Sequence, residues 1–135
     1  MITLGSLFDG ISGFPLAGER VGITAKWASE IEKFPMMVSA IRFPDMEQKG
    51  DITKLNGAEL EPVDIATGGS PCQDMSVAGK RAGLAGKRSG LFMEQIRIVR
   101  EMRDADKLRI ERRRNSEIRD RENTLIESRE AGGIL

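Results

Sequence analysis

The sequence predicts an α/β fold: a partial, Rossmann-like parallel sheet followed by a charged C-terminal tail that is helical or disordered. Three observations carry this expectation. Up to Pro71 the pattern runs strand, helix, strand, helix, strand, the order from which open parallel sheets are built. The strands end on glycine or a carboxylate, at the edge where such folds hold ligands. After Asp106 the alternation has stopped, and residues 107–135 are dense in Arg and Glu with few apolar side chains. Two regions are therefore expected, 1–106 and 107–135.

The first strand is ITLGSLF (2–8), rich in β-branched and large apolar residues and stopping at Asp9-Gly10. GISGF is a glycine-containing loop. PLAGERVG (15–22) reads as a helix, with Pro15 near its first turn and Gly22 after its end. ITAKWASE (23–30) is a second strand, closing on the carboxylate of Glu30. IEKFPMMVSAIRF (31–43) is helical in pattern, and Pro35 must lie near its start or kink it. GDIT (50–53) reads as a short extended turn, and VDIATGGSP (63–71) as a third strand running into Cys72. In SGLFMEQIRIVREMRDAD (89–106), Leu91, Phe92, Ile96, Val99 and Met102 approximate helical spacing, so an amphipathic helix is expected.

Composition narrows the chemistry. At 135 residues and 39% hydrophobic content, the chain can bury one small core but not two. The 21 basic and 21 acidic residues cancel, so any nucleic-acid contact must come from a local patch. One cysteine excludes an internal disulfide framework and a multi-cysteine zinc site. The absence of histidine removes the Ser-His-Asp and Cys-His pairs and most zinc chemistry, so no metal is expected. No apolar run reaches a membrane span, and MITLGSLFDG lacks the basic and long apolar regions of a signal peptide. A cytoplasmic location without membrane contact is the expectation.

Chain order alone gathers Asp9-Gly10, Glu30, Asp51 and Cys72 at one edge of the sheet. Cys72 sits in the turn GGSPCQDMS, directly before the glycine-rich basic loop SVAGKRAGLAGKRSG. A structural cysteine more often hides in an apolar strand or helix. Here turn amides and Lys80, Arg81, Lys87 and Arg88 supply the positive potential that lowers a thiol pKa.

In this order and spacing the segments resemble the DNA (cytosine-5)-methyltransferase family. FDGISGFPLAG is similar to its first motif, SE at Ser29-Glu30 to the second, GDIT to the third, and GGSPCQDMS to the fourth, with the Pro-Cys-Gln signature. SGLFMEQIRIV resembles the helix that follows the catalytic loop. The resemblance covers residues 1 to about 104. It implies a methyltransferase sheet that binds S-adenosylmethionine. Phe8, Gly10, Ile11 and Gly13 would come from the first motif, Glu30 and Ile31 from the second, Asp51 and Ile52 from the third, with Pro71 and Leu91 completing the set. Glu30 would hold the ribose hydroxyls and Asp51 would face the adenine.

It also implies that Cys72 is the nucleophile. Its thiolate would add to C6 of cytosine, C5 would attack the sulfonium methyl, and a base would remove the C5 proton. The target lies inside duplex DNA and must be flipped out. Gln73, Ser76, Lys80, Arg81, Lys87 and Arg88 would form the mobile loop that meets the DNA.

Two departures matter. Ser12 stands where many members have glycine. The strand ending in Glu-Asn-Val, the arginine motif, the target-recognition region and the closing C-terminal segment are not recognisable. Glu122-Asn123 follows the polar EIRDR, which cannot be a buried strand. The chain is therefore expected to be an N-terminal fragment with weak or no methyl transfer alone. Its alternatives are one subunit of a split methyltransferase, completed by a second chain, or a non-catalytic cofactor- or DNA-binding remnant.

Overall fold

A computed structural model describes residues 1–71 and 89–132. One sheet holds four parallel strands in the order β3-β2-β1-β4. They are β1 (Thr3–Leu7), β2 (Thr24–Ser29), β3 (Glu47–Gln48) and β4 (Ile65–Gly68). Helix α1 (Gly13–Glu19) joins β1 to β2, and α2 (Lys33–Arg42) joins β2 to β3. After β3 two short 3-10 helices, Ile52–Lys54 and Gly57–Glu59, return the chain to the other side of β1. The strand order thus reverses between β1 and β4, which opens a crevice beyond the strand ends.

The three expected strands and two crossover helices are present. The sequence reading missed β3, since two polar residues carry no hydrophobic period. Met46 just before it is nonetheless buried. GDIT also differs from the extended turn expected: Gly50 bends at φ +73° and residues 52–54 coil into a 3-10 turn. Pro35 falls at the third position of α2, inside the first turn, where its missing N–H costs nothing.

The core lies on the sheet face covered by the start of α3 (Ser89–Gly132). Leu7, Trp27, Ile52, Leu60, Ile98 and Met102 form one buried cluster. Trp27 is fully buried, and its indole N–H donates to the Glu61 carbonyl at 2.9 Å. Burying such a side chain contributes roughly 2–3 kcal/mol, provided the N–H finds a partner. The ring lies across β1 at Gly5, where any Cβ would sit 2.1 Å from it. There the pairing steps from Leu4 opposite Ala25 to Gly5 opposite Trp27, so β2 carries one extra residue as a bulge.

The chain divides into two compact units, Met1–Met102 and Arg103–Leu135. In the second, every described residue from Lys107 onward is exposed, and all are helical. Arg and Glu are strong helix formers, and pairs such as Arg109 with Asp106 at 2.8 Å add support. The expected alternatives for this tail, helix or disorder, resolve to helix for its described residues, through Gly132.

Candidate functional site

The carboxyl ends of all four strands meet at one cleft of about 450 Å³. Phe8 enters it after β1, Ser29, Glu30, Ile31 and Glu32 after β2, Gly50 to Thr53 after β3, and Gly69 and Pro71 after β4. Leu91 closes it from α3. Its volume lies within the range of small-molecule sites. Apolar Phe8, Ile31, Ile52, Pro71 and Leu91 alternate with the carboxylates of Glu30, Glu32 and Asp51.

The loop after β1 has an unusual backbone. Phe8, Gly10 and Ser12 carry positive φ of 52°, 60° and 70°. For Phe8 and Ser12 this is a costly left-handed conformation that surrounding structure must hold. The holding groups are visible. The Ser12 hydroxyl donates to Asp9 Oδ2 at 2.6 Å and lies 2.6 Å from the Ser39 hydroxyl. Ser39 also donates to Asp9 Oδ2 at 3.3 Å. Asp9, Ser12 and Ser39 are buried, so this cluster ties the loop to α2 away from water.

Glu30 fastens the same loop from the other side. Its Oε2 accepts the Gly10 amide at 2.7 Å, while Oε1 accepts the amides of Ile31 and Glu32 at 2.8 and 3.0 Å. Two ionised carboxylate oxygens have lone pairs to spare, so ligand hydroxyls can still be accepted. The Ser29 hydroxyl donates to the Gly50 carbonyl at 2.7 Å, joining the end of β2 to the third turn. In that turn Asp51 Oδ1 accepts the Thr53 amide at 2.9 Å and its hydroxyl at 2.8 Å. These bonds from Thr53, with Lys54 nearby, hold the Asp51 carboxyl below the usual range.

Among the sequence-predicted residues, Phe8, Glu30, Ile31, Asp51, Ile52, Pro71 and Leu91 line this one cleft. Gly10 is not on its wall but reaches it through Glu30. Ile11 is exposed, and Gly13 is the first residue of α1, off the cleft. Cys72, Gln73, Ser76, Lys80, Arg81, Lys87 and Arg88 lie outside the described residues. Sequence reasoning did not single out Ser29, Glu32, Gly50, Thr53 and Gly69 as lining residues, although the first four adjoin a residue it named and Gly69 lies two before Pro71. It also missed the Asp9–Ser12–Ser39 cluster, whose third member comes from a different helix. Among the described residues no group of three or more His, Cys, Asp or Glu could hold a metal ion, and no helix is long and apolar enough to cross a membrane.

A family model described as C-5 cytosine-specific DNA methylase matches residues 2–105. Over 104 residues the chain is 36% identical to a protein of Escherichia phage P1 named DNA N-6-adenine-methyltransferase, covering 74% of this chain and 14% of that one. It is 38% identical over 95 residues to the Type II methyltransferase M.HhaI of Haemophilus parahaemolyticus, covering 70% and 29%. A crystal structure described as a DNA modification methyltransferase encoded within a prophage (E. coli) superposes with a TM-score of 0.61 at 29% identity, covering 76% and 30%. The chain thus spans less than a third of the length of these relatives.

Proposed function

Because the chain belongs to the C-5 cytosine-specific DNA methylase family, we propose that its cleft holds S-adenosylmethionine and that Cys72 is the nucleophile for methyl transfer to cytosine C5 in double-stranded DNA. The observation that carries this reading is the convergence of Phe8, Glu30, Asp51 and Pro71 on one cleft, from the ends of four different strands. The residues fit the cofactor. Apolar Phe8, Ile31, Ile52 and Leu91 offer a slot for a flat base. Glu30 and Asp51 offer acceptors for hydroxyl and amino hydrogens. Acidic walls also favour a ligand that carries a sulfonium and an ammonium.

When bound, the cofactor supplies the methyl group. Pro71, on the cleft wall, directly precedes Cys72 in the sequence, which supports pairing the nucleophile with this cleft. The Cys72 thiolate adds to C6 of a flipped cytosine, raising electron density at C5. After methylation the C5 proton leaves to a base and the C6–S bond breaks, which regenerates the Cys72 thiolate. Lys80, Arg81, Lys87 and Arg88 meet phosphates, with Gln73 and Ser76 at the flipped base. Residues 1–106 form the cofactor and nucleophile region, and 107–135 a charged tail. We place the protein in the cytoplasm, with its DNA.

The name of the phage P1 relative points to adenine N6, but the match spans 14% of that protein. The Pro-Cys-Gln sequence suits methylation at carbon, whereas an exocyclic amine attacks the methyl donor directly and needs no thiol adduct. A second reading has specific support: β4 is an edge strand, with Ile65 about one-third exposed. A second chain that covers this edge and supplies the remaining elements would make a split methyltransferase.

Calorimetric titration of the full chain with S-adenosylmethionine tests the cleft. Binding at one site supports the reading, and absence of binding overturns it. Cys72→Ser should leave that affinity within about twofold, because the thiol acts on the base and not on the cofactor. Any covalent trapping of duplex DNA containing 5-fluorocytosine, where the C5 fluorine cannot leave as a proton does, should be lost in Cys72→Ser, and trapping by the variant overturns the nucleophile reading.

A further inference from the structure

Arg97 does more than pair with its helix neighbours. Its Nε and Nη2 donate to Glu94 Oε2 at 2.9 and 2.6 Å, and Nη1 lies 3.0 Å from both oxygens of Glu101. The same guanidinium reaches out of the helix. Nη1 donates to the Leu55 carbonyl at 2.8 Å and Nη2 to the Ile52 carbonyl at 2.9 Å. Glu101 then accepts the Gly57 amide at 2.7 Å. The approach is close: a Cβ on Gly57 would lie 2.4 Å from the Ile98 carbonyl. Both ends of segment 52–57 are therefore held by two side chains one turn apart on α3.

An ordinary exposed i,i+4 pair contributes little and touches nothing else. Three of the contacts here belong to a distant segment, and Arg97, Glu94 and Glu101 are each about two-thirds buried. Partial burial opposes ionisation of Glu101, yet the Gly57 amide and Arg97 outweigh it and hold the carboxyl below its ordinary range.

The segment that Arg97 grips begins in the cleft. Ile52 and Thr53 line one wall, and Leu91 of α3 lines another. Leu91 and Arg97 share one rigid helix, about 9 Å apart along its axis. We infer that Arg97 is a positioning residue: it sets the gap between the Asp51–Thr53 wall and Leu91, and through that gap the affinity of the cleft for its ligand. This rests on the cofactor reading above. The role calls for a planar fork with five donors, and an ammonium cannot span the Ile52 and Leu55 carbonyls and both glutamates at once.

The test uses the full chain, with Trp27 fluorescence confirming that each variant is folded at the working temperature. S-adenosylmethionine affinity is compared for wild type, Arg97→Met and Arg97→Lys, and amide exchange is followed at Thr53 and Gly57. Arg97→Met should bind about tenfold more weakly and lose protection at both amides. Arg97→Lys should restore only part of each. A role confined to overall stability would lower the melting temperature and leave the affinity of folded molecules unchanged. Unchanged affinity in Arg97→Met therefore overturns the positioning role while the cofactor reading stands. Should Arg97→Met fail to fold, wild-type affinity in Arg97→Lys overturns it equally. If the wild-type chain does not bind, the cofactor reading fails, and this inference fails with it.

Discussion

Glu30 accepts the Gly10 amide at 2.7 Å, across 20 residues of sequence, and so fastens the loop after β1 to the end of β2. The same carboxylate caps the amides of Ile31 and Glu32 ahead of α2. One side chain thus shapes two walls of the cleft while facing it. Three predictions on single positions and one on pH follow from relationships of this kind.

Glu30→Gln has a single acceptor oxygen in place of two. It can serve either Gly10 or the Ile31 and Glu32 amides, not both sets. Stability should fall by about 1–2 kcal/mol in urea denaturation. Affinity for S-adenosylmethionine should fall at least about tenfold, because the loop and the acceptor are lost together. Equal affinity in the variant would remove Glu30 from the site.

Gly5→Ala should be among the most damaging single-methyl changes in the chain. The added Cβ would overlap the Trp27 ring at 2.1 Å, and that ring is fully buried with nowhere to move. Overpacking of this kind costs roughly 3 kcal/mol or more. Trp27 is the only tryptophan, so its emission reports the transition directly. A melting temperature within a few degrees of wild type would show that β1 and β2 can separate at the bulge.

Ser12 separates two opposing effects. Its φ of +70° favours glycine, while its hydroxyl holds Asp9 and Ser39. Ser12→Ala loses the hydrogen bonds and keeps the strain, so it should cost about 2 kcal/mol. Ser12→Gly loses the same bonds but relieves about 1 kcal/mol of strain. The expected order of stability is serine, glycine, alanine. Glycine above serine would mean that the hydroxyl's bonds contribute less than the backbone strain they accompany.

Acid should weaken the start of the sheet. The Thr3 amide and hydroxyl, bonded to Asp64 Oδ2 at 2.8 and 2.9 Å, hold that carboxyl below its ordinary 3.8. A carboxyl depressed in the folded state contributes stability that is complete above its unfolded value. That contribution is lost as pH falls through the lower, folded value. Stability should therefore drop below about pH 4, and Asp64→Asn should flatten part of that fall. Denaturation midpoints between pH 2 and 6 measure both, and an unchanged slope in Asp64→Asn would count against the Thr3 contacts.

Much of this was legible without coordinates because it is local. Apolar runs at 2–8 and 23–30 became β1 and β2, and the turns at Gly10, Glu30, Gly50-Asp51 and Gly69 reached one edge because parallel strands all point the same way. Arg97 was not legible. Glu94, Arg97 and Glu101 have the i,i+3 and i,i+4 spacing of ordinary helix pairs, and nothing in that spacing reveals the carbonyls of Ile52 and Leu55 beside them. Ser39 was likewise one polar residue in a helix until it met Ser12 and Asp9.

The sequence by itself determined the alternation of strands and helices that gave β1, α1, β2, α2 and β4, and the helical bias of the Arg/Glu tail. Each depends on neighbours within a few residues, where propensity and turn chemistry act. Only the tertiary structure decided which donor meets which acceptor: the Gly10 amide with Glu30, the Ser12 and Ser39 hydroxyls with Asp9, the Arg97 guanidinium with the carbonyls of Ile52 and Leu55. A hydrogen bond holds only over about 3 Å, and the packing of separate elements sets which groups come that close.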